Sequence, residues 1–248
     1  MTELLSSIDK NKLPTHIAVI MDGNGRWARQ HGKPRIFGHK NGVKAVRAIT
    51  EASAELGIQY LTLYAFSTEN WARPRTEVTA LMGLLVETIR RELNTLNDNN
   101  IRLRAIGDTS KLPKSSQKAL NEGINNTANN TGMTLVLALN YSSRQEITNA
   151  TKRIAQDVAL GTLAAEDITD DVMSRYMETS GIPDPELLIR TSGERRISNY
   201  LLWQIAYTEL YFTEIFWPDF DKEHLYEALV NYQNRERRFG KTSDQLSN

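Results

Sequence analysis

The chain has 248 residues, enough to bury a sizeable core, and its 40% hydrophobic and 24% charged residues exclude a disordered or fibrous protein. Lys+Arg 30 balances Asp+Glu 30, so no global field draws nucleic acid, and any anion site must come from local clustering. Cysteine is absent, which excludes disulfides, zinc–thiolate sites and thiol nucleophiles.

Residues 1–13 are polar with no apolar run behind them, and read as a flexible segment rather than a signal peptide or anchor; 241–248 read as a flexible tail. The longest apolar runs, such as Ile17–Met21 and Leu135–Leu139, fall far short of the ~20 residues that span a bilayer. A cytoplasmic protein is expected, with peripheral contact at the inner face of the membrane left open.

The first predicted strand is His16–Met21, near-continuously apolar as in strands covered on both faces. It runs into Asp22-Gly23-Asn24-Gly25-Arg26-Trp27, where two glycines can bring backbone N–H groups close to an anion. From Asp22 to Lys40 stand Arg26, Arg29, Lys33, Arg35 and Lys40, with His31 and His39, and Asp22 is the only acid. Taken alone this loop reads equally as an Asp-Gly turn beside a solvated basic face. Asp22 is either a salt-bridge partner or a ligand of Mg²⁺, which commonly takes one or two carboxylates plus substrate phosphates.

Val43–Leu56 has one apolar face, and Gly57 stops it. Strand Tyr60–Phe66 leads into Ser67-Thr68-Glu69-Asn70-Trp71-Ala72-Arg73-Pro74. Trp27 and Trp71 each follow a strand, and pack in the core or wall an apolar ligand. The next helix is expected to start at Thr76 as N-cap, with Glu77 in its first turn and an apolar stripe from Val78 to Leu96.

Ile101–Ile106 alternates, with Arg102 and Arg104 on one face, and suits a sheet edge. Helix Pro113–Asn126, strand Met133–Leu139, and helices Arg144–Leu160 and Asp170–Met177 follow. Strand Glu186–Ile189 ends in Arg190-Thr191-Ser192-Gly193-Glu194-Arg195-Arg196-Ile197-Ser198, whose guanidinium forks and hydroxyl suit phosphate oxygens. A last strand, Glu209–Phe212 running on to Ile215 and Phe216, precedes helix Asp221–Phe239. Glu209 is a candidate second metal ligand, although spacing does not place it near Asp22.

This alternation argues for an α/β fold with one mostly parallel sheet flanked by helices. No repeat or linker divides the chain, so residues 1–248 read as one domain. Polar groups gather after several strands, at the carboxyl edge where open sheets bind ligands. Two Arg-rich loops exceed the needs of one phosphate and suggest a long phosphate ligand or two phosphorylated substrates. Standard nucleotide motifs do not fit: G-x-x-x-x-G-K-[ST] is absent, and no acid follows Gly23-Asn24-Gly25 at the ribose position. Nor does a G-x-S-x-G elbow or an H-E-x-x-H pair occur.

The segments Met21–Ala28, Gly38-His39, Phe66–Trp71 with Arg73-Pro74, Asn140-Tyr141, Arg190–Glu194 with Arg196–Asn199, and Trp217-Pro218-Asp219 resemble the signature blocks of cis-prenyltransferases. With Arg237–Gly240 they extend over nearly the whole chain. The resemblance implies a homodimeric, Mg²⁺-dependent enzyme that extends farnesyl diphosphate with isopentenyl diphosphate. The implied product is a long-chain cis-polyprenyl diphosphate such as undecaprenyl diphosphate, the lipid-carrier precursor for cell-wall glycans. A non-catalytic subunit of the same family and a synthase of different product length are the alternatives.

By this resemblance Gly23, Asn24, Gly25 and Arg26, with Trp27, Arg35, His39 and Arg73, hold the allylic diphosphate. Arg190, Arg196, Ile197 and Ser198 hold isopentenyl diphosphate, and Asp22 and Glu209 hold magnesium. Ser67, Thr68, Glu69, Asn70 and Trp71 form a second active-site block, in which Asn70 is assigned to proton removal. Arg238-Phe239-Gly240 would reach the partner subunit's site, and the apolar helix faces would line a tunnel for the growing chain. Ser142-Ser143 stand where the family has glycines, and Gln145 where an aromatic is common.

Overall fold

Continuous apolar runs have both faces to bury, which places them inside a sheet covered by helices. A computed structural model describes residues 3–238, 240 and 242–245. Its strands are β1 (His16–Ile20), β2 (Tyr60–Ser67), β3 (Arg102–Ile106), β4 (Thr134–Tyr141), β5 (Leu187–Arg190) and β6 (Glu209–Phe212). They pair in the order β3-β4-β2-β1-β5-β6, every pair parallel, so the sheet is wholly rather than mostly parallel. Every residue of β1, β4 and β5 is buried, whereas β6 is half-buried throughout and the alternating β3 forms the other edge.

The helices are α1 (Glu3–Ser7), α2 (Asn24–Gln30), α3 (Arg35–Leu56), α4 (Arg75–Asp98), α5 (Lys114–Asn126), α6 (Ser143–Ala159), α7 (Asp170–Tyr176) and α8 (Lys222–Gln233). Period-two alternation divides β1 between two cores. Ile17 and Val19 pack with Ile49, Met82, Ile89 and Leu229, from α3, α4 and α8. Ala18 and Ile20 pack on the other face with Val136, Leu188 and Tyr200. The chain runs from β1 through β2 to one edge and returns to β5 on the other side of β1. Loops leaving β1 and β5 therefore diverge, and open a crevice at the carboxyl edge.

Several boundaries differ from expectation. The segment 22–26 is not only a loop, because α2 begins at Asn24. α3 starts at Arg35 rather than Val43. Its first two turns contain Gly38, where a Cβ would lie 1.9 Å from the Asn24 carbonyl oxygen of α2. The glycine permits close helix contact but blurs the apolar periodicity that marks a helix. α4 is capped at Pro74 instead of Thr76, and α8 ends at Gln233. β6 stops at Phe212, since the carbonyls of Thr213 and Ile215 accept from the N–H groups of Gly193 and Ser192. Of the N-terminal segment expected to be flexible, α1 packs on α8, and Gln233 exchanges hydrogen bonds with the Asp9 backbone. In the expected flexible tail, Ser243–Gln245 form a 3₁₀ turn. Among the described residues no helix is long and apolar enough to cross a membrane.

His16 gives the fold a pH dependence. Its ring lies in β1, with Nδ1 2.6 Å from the Pro183 carbonyl oxygen and Nε2 2.6 Å from Thr62 Oγ1. A carbonyl only accepts, so Nδ1 carries the proton and Nε2 accepts from the hydroxyl. Burial lowers the pKa to about 4, with the Pro183 contact and Glu186 opposing. An unfolded imidazole binds its proton near ~6.5, where the folded one does not. Stability is therefore expected to fall as pH drops from about 6.5 to about 4, by up to roughly 3 kcal/mol from this group. Urea midpoints at pH 7 and pH 5 would reveal it, and His16→Gln should flatten the slope. An unchanged slope in the variant would refute the assignment.

Candidate active site

Asp22 lies at the switch point, two residues beyond Ile20, which pairs with Arg190 of β5. Thr191 Oγ1 accepts from the Asp22 N–H at 2.9 Å and donates to its carbonyl at 2.7 Å, fixing the carboxylate's direction. Asp22 Oδ1 accepts from the Gly23 N–H at 2.7 Å, and Oδ2 lies 2.9 Å from Arg190 and 3.4 Å from Arg26. Burial raises the carboxyl pKa, but the Arg190 hydrogen bond, the Gly23 N–H and the two guanidiniums outweigh it and hold Asp22 below the usual range. Asp22 is thus a carboxylate anchored on one side by cations.

Gly23 is the N-cap of α2 with φ 102°, and a Cβ there would come 2.7 Å from Phe216 and 2.8 Å from Ser192. The first N–H groups of a helix lack carbonyl partners within it, which leaves those of Asn24, Gly25 and Arg26 as donors to an anion. Arg35 lies against Gly25, its Nη1 2.6 Å from where a Cβ would stand. Arg26 donates to Ser192 Oγ and pairs with Glu194 at 3.1 Å.

Glu77 organises two guanidiniums and an imidazole facing this helix end. It lies 3.1 Å from Arg35, 3.3 Å from Arg73 and 3.9 Å from His39. His39 is pushed to about 4 by burial and by Arg73 and Arg35, against the pull of Glu77. Burial and the Arg35 charge also lower Arg73, again opposed by Glu77. The crowding of Arg35 and Arg73 would be relieved by an anion, beside which His39 is a neutral imidazole.

Arg190 ends β5 and is only 3% exposed. Its Nη1 donates to Ser198 Oγ at 2.7 Å and to the Arg196 carbonyl, and its Nη2 to Asp22. Nε is buried and has no partner among the described residues. Arg196 is largely exposed and pairs with Glu194. Ser192, Ser198, Asn199 and Leu201 all have φ between 49° and 75°. Non-glycine residues in this region cost roughly 1–3 kcal/mol each and persist only where surroundings over-determine them, often at functional sites.

Some of these groups rim a cavity of about 670 Å³ between the sheet and helices α3 and α4, whereas Gly23, Gly25, Arg26 and Arg35 stand beside it without lining it. Asp22, Asn24, His39, Arg73, Arg190 and Arg196 stand on its polar side. Val43, Val46, Leu81, Leu85, Ile89 and Leu137 line its apolar side. Ser67, Glu69, Asn70 and Ser198 also line it. Asn70 Oδ1 accepts from the Ser67 N–H at 3.1 Å, closing a capping box on the 3₁₀ turn Thr68–Ala72. Glu69 accepts from Asn199 at 2.9 Å.

Other sequence candidates fall outside this cavity. Trp27 is buried, donates to Asp219 at 2.8 Å and stacks on His31 and Phe37. Trp71 donates to Asn140 at 2.7 Å and, with Thr68, borders a second cavity of about 420 Å³. Neither tryptophan is among the residues lining the main cavity, and both indole N–H groups are engaged elsewhere. Ile197 is half-buried and does not line it. Glu209, the expected second metal ligand, stands at the start of β6. It pairs with Leu187, three residues before Arg190 in β5, and forms an ion pair with Arg235 at 2.9 Å. Within one chain it lies roughly 15 Å along the strands from Asp22. Arg238 hydrogen-bonds Glu236, and Phe239 of the C-terminal block lies outside the described residues.

Sequence reasoning missed Glu77, Glu194 and Thr191. Glu77 stood four residues after Arg73, a spacing that signals a helical ion pair, but only the fold brings Arg35 and His39 to it. Among the described residues no cluster of three His, Cys, Asp or Glu could hold a metal. The donor set fits an ion shared between one carboxylate, Asp22, and the phosphates of a ligand, as Mg²⁺ permits.

A family model described as "Putative undecaprenyl diphosphate synthase" matches residues 20–240. The chain is 56% identical over 235 residues to an isoprenyl transferase of Porphyromonas gingivalis, covering 95% of this chain and 92% of that one. It is 53% identical over 241 residues to a ditrans,polycis-undecaprenyl-diphosphate synthase ((2E,6E)-farnesyl-diphosphate specific) of Vibrio vulnificus, covering 97% and 96%. Its fold matches the crystal structure of lavandulyl diphosphate synthase from Lavandula x intermedia in complex with dimethylallyl diphosphate. That match has TM-score 0.91 and 36% identity, over 93% of this chain and 100% of the other.

Proposed function

The chain belongs to the undecaprenyl diphosphate synthase family of prenyltransferases, and from that premise we propose that it condenses isopentenyl diphosphate repeatedly onto farnesyl diphosphate. The proposed product is undecaprenyl diphosphate. The observation that carries this reading is a single cavity with a cationic rim and an apolar interior, the shape required by a diphosphate with a long hydrocarbon tail. The chain acts as one catalytic domain.

The allylic diphosphate binds at the start of α2, to the N–H groups of Asn24, Gly25 and Arg26, with Arg35, His39 and Arg73 opposite. Isopentenyl diphosphate binds to Arg196, Ser198 and the cavity-facing side of Arg190. In the reaction the allylic C–O bond breaks and diphosphate leaves. The terminal alkene carbon (C4) of isopentenyl diphosphate forms the new C–C bond. One proton is lost from C2, the methylene on the far side of the substituted alkene carbon, so that the double bond re-forms between C2 and C3. Arginines and backbone N–H groups stabilise the negative charge that grows on the leaving diphosphate. Asp22 would hold magnesium, which would supply further positive charge against the same leaving group. A diphosphate oxygen is the better proton acceptor, since an amide is a poor base and the Asn70 oxygen already accepts from Ser67. Asn70 then holds the rim's shape.

The growing chain extends into the apolar part of the cavity. A homodimer is supported by the half-buried edge strand β6, which presents Leu210 and Tyr211. The protein works in the cytoplasm and meets the membrane peripherally to release its product.

Incubation with farnesyl diphosphate, labelled isopentenyl diphosphate and Mg²⁺ tests the reading. Label should pass into butanol, and a chelator should stop the transfer. Label that stays in water under all conditions would reject the activity.

A further inference from the structure

Ser142 and Ser143 lie at the start of α6, on the far side of the β5 loop from the substrate cations. Both are buried, at 8% and 0% exposure, and the mechanism above uses neither. Ser142 Oγ accepts from Asn199 Nδ2 at 2.7 Å. Ser143 Oγ accepts from the Leu202 N–H at 2.8 Å, and the Ser143 N–H donates to the Asn199 carbonyl at 2.9 Å. The Arg144 N–H donates to Asn199 Oδ1 at 3.0 Å. Asn199 Nδ2 also reaches Glu69 on the cavity rim at 2.9 Å.

Residues 198–202 are thus fastened to the first turn of α6 from both backbone and side chain. The fastening acts where the loop is most strained: Ser198 has φ 50°, Asn199 60° and Leu201 49°. Ser198 is the residue that receives Arg190 Nη1, so the same clamp sets the position of the hydroxyl and, through the Arg196 carbonyl, of the neighbouring turn. A primary amide has two N–H donors, and those of Asn199 are met by Glu69 and Ser142. Without the Ser142 oxygen one donor loses its protein acceptor; without Ser143 Oγ the Leu202 N–H loses its own.

We propose that Ser142 and Ser143 are positioning residues for isopentenyl diphosphate, their hydroxyls clamping residues 199–202 so that Ser198 and Arg196 face the cavity. The proposal rests on the assignment of the β5 loop to that substrate.

The test is steady-state kinetics of the double variant Ser142→Ala/Ser143→Ala, with Ser142→Thr and Arg196→Ala alongside and melting temperatures for each. The double variant should raise KM for isopentenyl diphosphate about tenfold and leave KM for farnesyl diphosphate near its original value. Ser142→Thr, which keeps the hydroxyl, should restore normal kinetics at its position. An unchanged KM for isopentenyl diphosphate in the double variant, with Arg196→Ala raising it, overturns the clamp while sparing the loop assignment. Equal losses for both substrates in step with melting temperature overturn it too, since they indicate general loosening. No effect in Arg196→Ala either removes the loop assignment and the clamp together. If the double variant does not fold, Ser142→Ala alone is read by the same split between the two KM values.

Discussion

Replacing Asp22 with asparagine should reduce turnover about 100- to 1000-fold, the usual scale for removing one stabiliser of developing charge, while the protein stays folded and binds the allylic diphosphate. The amide oxygen can still accept from Gly23 or Arg190, so the local geometry survives, but the negative charge that would attract a cation is gone. Asp22→Ala should add a second defect. Arg190 is almost fully buried, and Asp22 is its carboxylate partner. Leaving a buried guanidinium unpaired costs of order 3 kcal/mol, at the low end of the usual range because water reaches the Asp22 side. Turnover, allylic-substrate affinity and melting temperature should therefore separate the two variants. Near-normal turnover in Asp22→Asn would remove Asp22 from the chemistry.

The second large effect concerns the division of labour in the β5 loop. Arg196 is mostly exposed, so Arg196→Ala should leave melting temperature unchanged and raise KM for isopentenyl diphosphate about 10- to 100-fold. Arg190 ties Asp22, Ser198 and the Arg196 carbonyl together, so its loss reaches further. Arg190→Ala should raise the same KM at least as much, lower the melting temperature and reduce turnover, because Asp22 loses its main cationic partner. Arg190→Lys should rescue little, since an ammonium cannot reproduce a planar fork that serves three acceptors. KM values that rise equally for both substrates in Arg196→Ala would reject the division.

The parallel sheet was legible because unbroken runs such as His16–Met21 and Met133–Leu139 have few other ways to be buried. The crevice followed from it, since Asp22 and Arg190 each stand at the end of such a run. Less visible were features made by long-range contact. α2 is seven residues long and opens on a glycine-rich stretch that imitates a turn. The apparent excess of base between Asp22 and Lys40 is partly neutralised in space by Glu77 and Glu194, from distant segments. Glu209 was paired with Asp22 by family resemblance, yet register sets the two toward opposite ends of the strands. Trp27 and Trp71 occupied the right places in sequence, but their indole N–H groups turn toward Asp219 and Asn140. The resemblance supplied chemistry that spacing alone did not.

The family match at TM-score 0.91 includes a lavandulyl diphosphate synthase, so architecture by itself does not fix what is built in the cavity. Product sizing addresses that question directly. Purified protein supplied with farnesyl diphosphate, excess isopentenyl diphosphate and Mg²⁺ should yield, after dephosphorylation and reversed-phase chromatography, a polyprenol co-eluting with undecaprenol. A product that stops after a single condensation would contradict repeated elongation into the cavity, and with it the account given for this protein.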